Sequence, residues 1–297
     1  MRKLGKWIKT RFKTAVRIVM RFSADNGLTA AGALCFYFLM SVLPLNLLAL
    51  SVLGYVMGSK ADALSAVTNF GMRIFPEGSV DIKNILDTLV SGRGVFGGLA
   101  IVLWAWFSAG IFYTMEVAVN RIFRSGRKRG FFRRTAVVYF FMLVAGVLLI
   151  VTIAFTIVAA IVSNLSVSFL HIDSEKIPLL WNISFSLLPP ALAMLMFAII
   201  YKVGPTSKVS WSAALKGAIF AAVFWELSRR LFGWYLSTIA LYNKFYGALG
   251  TLVAIFIWLF YSSIIFLLGA EYAAISNERY ERGLARARVS PKNDKEK

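Results

Sequence analysis

The sequence predicts an all-α, polytopic membrane protein with six transmembrane helices and further amphipathic helices at the membrane surface. Two observations predict this fold class. Of the 297 residues, 59% are hydrophobic and only 16% are charged, whereas about a quarter of the residues of a soluble domain are charged. Long apolar runs also alternate with short basic clusters, a pattern typical of a chain whose solvent is lipid.

Residues 5–22 form the first predicted element, an amphipathic helix. Apolar side chains recur there at three- and four-residue steps, with Lys and Arg between them. The pattern suits a helix that lies on an anionic cytoplasmic leaflet. It equally suits a helix that packs on the protein's own body, and the sequence leaves both interpretations open.

Six apolar runs follow, and each is long enough to cross ~30 Å of hydrocarbon, which takes about 20 helical residues. They lie near residues 28–57, 95–117, 136–162, 179–201, 212–236 and 247–274. We therefore predict a single membrane domain over residues 1–282. Residues 283–297 are charged and contain a proline, and we predict a disordered basic cytoplasmic tail there.

The placement of basic residues predicts the orientation. The net charge is +19, and 25 of the 33 Lys and Arg residues lie in residues 1–22, 118–135, 202–216 and 278–297. The positive-inside rule puts these segments, and both termini, in the cytoplasm. The expected partners are therefore membrane lipids, with anionic headgroups at the basic inner face, and not nucleic acid.

The longest outer loop, residues 58–94, carries four basic and four acidic residues. Its apolar residues follow helical spacing in two stretches separated by Pro76, Gly78 and Ser79, which predicts two short amphipathic helices on the outer face. These helices either rest on the outer leaflet or cover the bundle, and a membrane scaffold would use the same loop to bind an envelope protein partner.

Four stretches between residues 25 and 271 carry a resemblance to a known family. They are Asp25-Asn26 with Thr29-Ala30-Ala31-Gly32 and Ser41-Val42-Leu43-Pro44-Leu45; Ala118-Val119-Asn120-Arg121-Ile122-Phe123-Arg124; Gly217-Ala218 with Trp225-Glu226, Arg229-Arg230, Phe232 and Tyr235; and Tyr246-Gly247-Ala248-Leu249-Gly250 with Trp258 and Leu268-Gly269-Ala270-Glu271. In order and spacing they resemble the YihY/BrkB family of bacterial inner-membrane proteins, which formerly carried the name ribonuclease BN. The resemblance implies a six-span helical bundle, in agreement with the count of apolar runs.

The residue types do not fit nuclease chemistry. Metal-dependent ribonucleases gather several His, Asp or Glu ligands around Zn or Mg. This chain has one histidine, His171 in a predicted outer loop, and one cysteine, Cys35 in a span, and most of its acids are scattered through loops. It also lacks a GxxxxGK[ST] phosphate loop. We therefore expect no catalytic residues, no metal and no cofactor.

Glu226 is the clearest ionisable residue at membrane depth, because it lies 14 residues and so about 21 Å into its predicted span. Arg229 and Arg230 follow at i+3 and i+4, where side chains share a helix face. They form an intrahelical ion pair that reaches toward the headgroups, part of a polar path that binds substrate phosphate, or a binding site for a partner. Asn46 either satisfies a carbonyl freed by the nearby proline or lines a cavity.

Four residues near the cytoplasmic ends of spans form a candidate inner rim: Glu116, Asn120, Arg121 and Glu271. The simplest interpretation is that the two acids pair with Arg121, Arg124 or C-terminal arginines. Asn120 is expected to make hydrogen bonds at the inner boundary.

These residues favour transport or translocation of a lipid or other amphiphile across or within the bilayer. The alternative is a non-transporting membrane scaffold that acts in envelope maintenance. An intramembrane enzyme is disfavoured because the sequence shows no nucleophile–base pair or metal cluster.

Overall fold

The computed structural model describes residues 2–56, 93–126, 129–165, 177–239 and 243–289. In these ranges the chain forms helices and no strand. The helices are α1 (Arg2–Ala24), α2 (Gly27–Val56), α3 (Arg93–Ile122), α4 (Phe131–Leu165), α5 (Ile177–Val203), α6 (Trp211–Ile239) and α7 (Asn243–Val289). The all-α prediction is confirmed.

Helices α2 to α7 coincide with the six predicted spans. Among the described residues, three stretches are long and apolar enough to cross a membrane: Gly98–Ile122, Phe131–Thr152 and Val253–Gly283. Two shorter apolar stretches are Gly27–Val42 and Leu187–Val203. Helix α6 is less apolar because Lys216, Glu226, Arg229 and Arg230 interrupt it. The count of six spans therefore stays a prediction.

Large apolar side chains are exposed along the helices. Trp106 is 73% exposed, Trp234 67%, and Leu143 and Ile150 each 66%. Water-soluble proteins rarely expose apolar surface on this scale, whereas lipid solvates it without cost. The helices are thus those of a membrane protein.

The C-terminal helix is longer than the sequence predicts. Helix α7 continues to Val289 and so includes the beginning of the segment predicted to be a disordered tail from Gly283. The physical reason is that Leu284 and the Ala and Arg residues that follow are strong helix formers. Residues 290–297 lie outside the described residues. So do residues 57–92, which hold nearly all of the outer loop predicted to bind a partner, and His171.

The chain divides into two compact units. The first comprises Met1–Leu28, Met115–Leu227 and Ile264–Lys297, and the second comprises Thr29–Thr114 and Ser228–Ser263.

The core of the first unit is built on small residues of α6 and α7. A Cβ atom added to Gly217 would lie 2.5 Å from the Cβ of Ala273 and 2.6 Å from the carbonyl oxygen of Gly269, so the two helix backbones touch only because these positions carry glycine. Next to this contact, the buried Tyr201 hydroxyl donates a 2.6 Å hydrogen bond to the carbonyl oxygen of Phe266.

The second unit brings α2 against α7. The buried Cys35 thiol lies 3.5 Å from the carbonyl oxygen of Phe256. On the neighbouring part of α7, the ring of Trp258 packs at 5.0 Å between centroids against Phe232 of α6. Ring contacts of this kind suit an apolar interior.

Candidate functional site

A network of charged side chains surrounds Glu116, near the end of α3 in the first unit. Glu116 is 1% exposed. Its Oε2 atom accepts a 2.8 Å hydrogen bond from Nε of Arg134, and its Oε1 atom accepts one of 3.2 Å from Nη1 of Arg129. A buried carboxylate is costly without such partners. These ion pairs therefore stabilise the buried charge and connect α3 to the beginning of α4.

Arg129 also caps the C-terminus of α5. Its guanidinium donates hydrogen bonds of 2.7, 2.9 and 3.2 Å to the carbonyl oxygens of Val203, Gly204 and Pro205. The last carbonyls of a helix have no partner within the helix and carry its negative dipole end. One arginine therefore neutralises both the Glu116 carboxylate and the end of α5.

Asn120 holds the connection that follows α5. Its Oδ1 atom accepts hydrogen bonds from the Thr206 backbone amide at 2.8 Å and from the Thr206 hydroxyl at 3.1 Å. Its Nδ2 atom donates to the carbonyl oxygen of Glu116 at 2.9 Å. We call Glu116, Asn120, Arg129 and Arg134 the Glu116 network.

Helix α1 is anchored to α7 by three arginines. Nη1 of Arg21 lies 2.7 Å from Oε1 of Glu278, and Nη2 of Arg17 lies 3.1 Å from Oε2 of the same residue. Arg279 donates a 2.8 Å hydrogen bond to the hydroxyl of Thr14. Helix α1 thus packs on the protein's own body, as one of its two sequence interpretations has it. Its apolar residues Phe12, Val19 and Met20 remain more than half exposed.

Helices α1, α6 and α7 line an open groove of about 820 Å³, which we call the α6 groove. Helix α6 begins beside it with Ser210 as its N-cap, whose hydroxyl accepts a 3.2 Å hydrogen bond from the Ala213 amide. The walls combine hydroxyl, cationic, aromatic and aliphatic side chains: Thr14, Ala15, Ile18, Ser210, Ser212, Ala213, Lys216, Ile219, Phe220, Val223, Phe224, Tyr272, Ser276, Arg279 and Tyr280.

The groove wall changes from polar to apolar along α6. Ser212 and Lys216 are followed on the same helix face by Phe220 and Phe224, at steps of four residues. Phe220 and Phe224 also pack against each other, with 4.5 Å between ring centroids. At 1.5 Å per residue, the cation and the distal phenyl ring are about 12 Å apart along the helix axis. The groove is therefore amphiphilic.

Apart from the Glu116 network, two further acidic residues of the first unit, Asp25 and Glu271, lie next to each other. Asp25 and Asn26 form the turn after α1, and Asn26 adopts a left-handed backbone with φ of 55° that asparagine tolerates better than most residues. Glu271 on α7 is 0% exposed. The Asp25 side chain lies within hydrogen-bonding reach of it. Both Glu271 oxygens and Oδ2 of Asp25 are buried without a hydrogen-bond donor among the described residues.

The structure does not bring the predicted polar path into the groove. Glu226 is half-buried on α6, Arg229 and Arg230 are exposed, and none of the three lines the groove. The side chain of Asn46 lies outside the described part of the chain. The predicted polar path therefore stays a prediction.

The inner-rim acids differ from the expected pairing. Glu116 pairs with Arg129 and Arg134, not with Arg121 or Arg124, because Arg121 lies five residues farther along α3 and faces away from Glu116. Arg121 instead donates a 3.3 Å hydrogen bond to the backbone carbonyl of Asp25. Glu271 makes no hydrogen bond with an arginine among the described residues.

Sequence reasoning missed Asp25, Arg129, Arg134 and the groove. Asp25 stands in the first family-like stretch and the two arginines in the basic segment 118–135, but no pattern says which arginine of that segment turns back onto Glu116. The groove could have been predicted from the sequence. Ser212, Lys216 and Phe220 follow one another at four-residue steps at the start of α6, which places a hydroxyl, a cation and a phenyl ring on one helix face.

Buried ion pairs, exposed apolar helices and an amphiphilic groove define a polytopic α-helical membrane protein. The chain matches the family described as virulence factor BrkB over residues 18–295, and it belongs to that family.

Three bacterial relatives match over most of their length. A UPF0761 membrane protein of Pseudoalteromonas translucida is 27% identical, over 94% of this chain and 91% of its own. A UPF0761 membrane protein of Alteromonas mediterranea is 26% identical, over 89% and 87%. A ribonuclease-like protein of Bacillus subtilis, YfkH, is 22% identical, over 87% and 93%. No solved structure matches the chain.

Proposed function

We propose that this protein binds a lipid or another amphiphile and moves it across or within the bacterial cytoplasmic membrane, without catalysing a reaction. The α6 groove carries this proposal. An amphiphile has a polar head joined to an apolar chain, and the groove offers the same sequence of environments along α6, from Ser212 and Lys216 to Phe220 and Phe224.

The size and exposure of the groove suit such a ligand. Its volume of about 820 Å³ falls within the range of small-molecule sites, roughly 300–1,000 Å³. Ile219 and Val223, at its apolar end, are 50% and 60% exposed. An acyl chain of the bound ligand would cover them with packing contacts in place of contacts with bulk lipid.

The charges of the groove favour an anionic head. Lys216 and Arg279 contribute two cations, and the described groove lining contains no acidic side chain. Hydroxyl groups of Ser212 and Ser276 can donate further hydrogen bonds to phosphate oxygens. We therefore propose an anionic phospholipid as the ligand, taken from the cytoplasmic leaflet.

The orientation belongs to the same proposal. Lys216 follows the basic segment 202–211, which the positive-inside rule assigns to the cytoplasm together with both termini. The exposed apolar residues of α1 would then lie against the inner leaflet, next to the mouth of the groove.

Photo-crosslinking and a leaflet-exchange assay test this function. The protein is reconstituted in liposomes of phosphatidylethanolamine and phosphatidylglycerol that contain a photoactivatable, fluorescent phosphatidylglycerol. Ala15→Trp fills the groove from α1, and Lys216→Gln removes a cation. We expect each variant to reduce crosslinking to α6 and leaflet exchange at least about fivefold, a loss equivalent to about 1 kcal/mol.

Met20→Trp is the matched control for Ala15→Trp, because Met20 lies on the same helix, is 68% exposed and does not line the groove. It should exchange lipid as the wild type does. No exchange by the wild type under any imposed gradient, together with no crosslinking to the groove, would exclude the proposal. Crosslinking without exchange would favour the scaffold alternative, in which the bound lipid only anchors the protein and the outer loop recruits an envelope partner.

A further inference from the structure

The buried carboxyl group of Glu271 lies beside the partly exposed Asp25 in the first unit, and three of their buried oxygens receive no hydrogen bond from the described residues. Glu271 is 0% exposed, and neither of its carboxylate oxygens has a hydrogen-bond donor among the described residues. The nearby Asp25 has its Oδ2 atom in the same situation. Buried polar atoms are almost always hydrogen-bonded, so three such oxygens at one place require an explanation.

Two ionised carboxylates cannot satisfy each other, because each is only an acceptor. One proton changes this, since a protonated carboxyl group donates a strong, short hydrogen bond to a carboxylate. Two negative charges that lie within hydrogen-bonding reach of each other, away from water, also repel strongly. Sharing a proton removes this repulsion. We infer that Asp25 and Glu271 form a proton-binding site that holds one proton between the two carboxyl groups.

Two arginines face the carboxyl pair, and neither takes the place of the shared proton by donating a hydrogen bond to Glu271. Arg21 on α1 faces the pair; its buried Nη1 atom lies 2.7 Å from Oε1 of Glu278, seven residues farther along α7, and donates no hydrogen bond to either carboxyl group of the pair. Arg124, just beyond α3, is the other cation that faces it. Helix α6 packs against this part of α7 through Gly217 and Ala221. Neither arginine donates a hydrogen bond to Glu271.

The proton has a structural effect because its two ligands belong to different elements. Asp25 ends α1 at the turn into α2, and Glu271 lies within α7. With the proton bound, the carboxyl pair holds the turn against α7. Without it, two negative charges are buried at the same contact. The site is distinct from the α6 groove and does not depend on lipid transport.

The test measures proton binding and stability together. The wild-type protein in detergent micelles is examined by infrared spectroscopy for a protonated carboxyl group at neutral pH, and its unfolding by SDS is followed as a function of pH. Unfolded Asp and Glu lose their protons near pH ~4. Above that pH the folded state binds one proton more than the unfolded chain, so stability falls as the pH rises.

One additional proton corresponds to a tenfold increase in the unfolding equilibrium constant per pH unit, about 1.4 kcal/mol. We expect Glu271→Gln to abolish both this slope and the infrared band, because an amide donates to Asp25 at every pH. Asp25→Asn should do the same from the other side. Glu281→Gln, an exposed position on the same helix, is the matched control and should retain both signals.

Absence of a protonated carboxyl band in the wild type overturns the inference even if neither variant folds. A band and slope that survive both Glu271→Gln and Asp25→Asn overturn it as well. Stability that follows the sodium concentration, without a protonated band, would assign the site to a metal cation and also refute it. None of these outcomes bears on lipid exchange, so the transport proposal is decided separately.

Discussion

Removing the charge of Glu116 should destabilise the folded protein strongly. The Glu116 side chain is 2% exposed, and its partners Arg129 and Arg134 are 13% and 33% exposed. Glu116→Gln keeps the shape but leaves both guanidinium groups without their carboxylate. Breaking a buried ion pair from one side costs roughly 3–5 kcal/mol. Arg129 keeps three carbonyl acceptors and Arg134 is partly solvated, so we expect the lower value, about 3 kcal/mol.

The measurement is a reversible SDS titration in mixed micelles, followed by tryptophan fluorescence. A loss of about 3 kcal/mol raises the unfolding equilibrium constant more than about a hundredfold. Glu281→Gln serves as control, because it makes the same chemical change at an exposed position and should stay within about 0.5 kcal/mol of the wild type.

A double-mutant cycle then measures the interaction energy between Glu116 and Arg134 apart from the other contacts of each residue. Arg134→Gln combined with Glu116→Gln should cost less than the sum of the single variants, by at least about 1 kcal/mol, since the charges compensate each other. Additive losses, or a Glu116→Gln variant less than 1 kcal/mol below the wild type, would refute the assignment of Glu116 as the buried centre of the network.

The remaining predictions concern packing in the same unfolding assay. Gly217→Ala should destabilise by about 1–3 kcal/mol, because its Cβ has no room against α7. Gly233→Ala on the same helix has nothing within 4 Å and should gain about 0.5–1 kcal/mol of helix propensity; equal effects would contradict close packing at Gly217. Tyr201→Phe removes the 2.6 Å hydrogen bond to Phe266 and should cost about 1 kcal/mol. Tyr139→Phe, at a residue that is 60% exposed, should cost nothing measurable.

The helices were predictable because lipid imposes a strong local requirement. A segment that crosses hydrocarbon must be apolar over about 20 residues and must satisfy its backbone internally. The apolar run 95–117 therefore identifies α3, and 247–274 identifies α7. Outside the hydrocarbon the requirement ends, so the helices continue to Ile122 and Val289 through residues that hydropathy assigns to loops.

The site was predictable only by residue type. Glu116 and Glu271 stand out because acids are rare within apolar runs, yet they have opposite surroundings. Glu116 has two arginine partners, and Glu271 has another carboxyl group. The difference arises from how the chain turns after α1 and after α3. Such turns depend on tertiary contacts that a single sequence does not contain.

The order of contacts along the chain has a consequence for biogenesis. Arg129 and Arg134 follow Glu116 by only 13 and 18 residues, so the carboxylate acquires its counter-ions as soon as the connection from α3 to α4 leaves the insertion machinery. The carbonyls of α5 that Arg129 also binds are made some 74 residues later. We expect the Glu116 carboxylate to be paired before α5 is made, and α5 to be recruited afterwards to a guanidinium that is already in position.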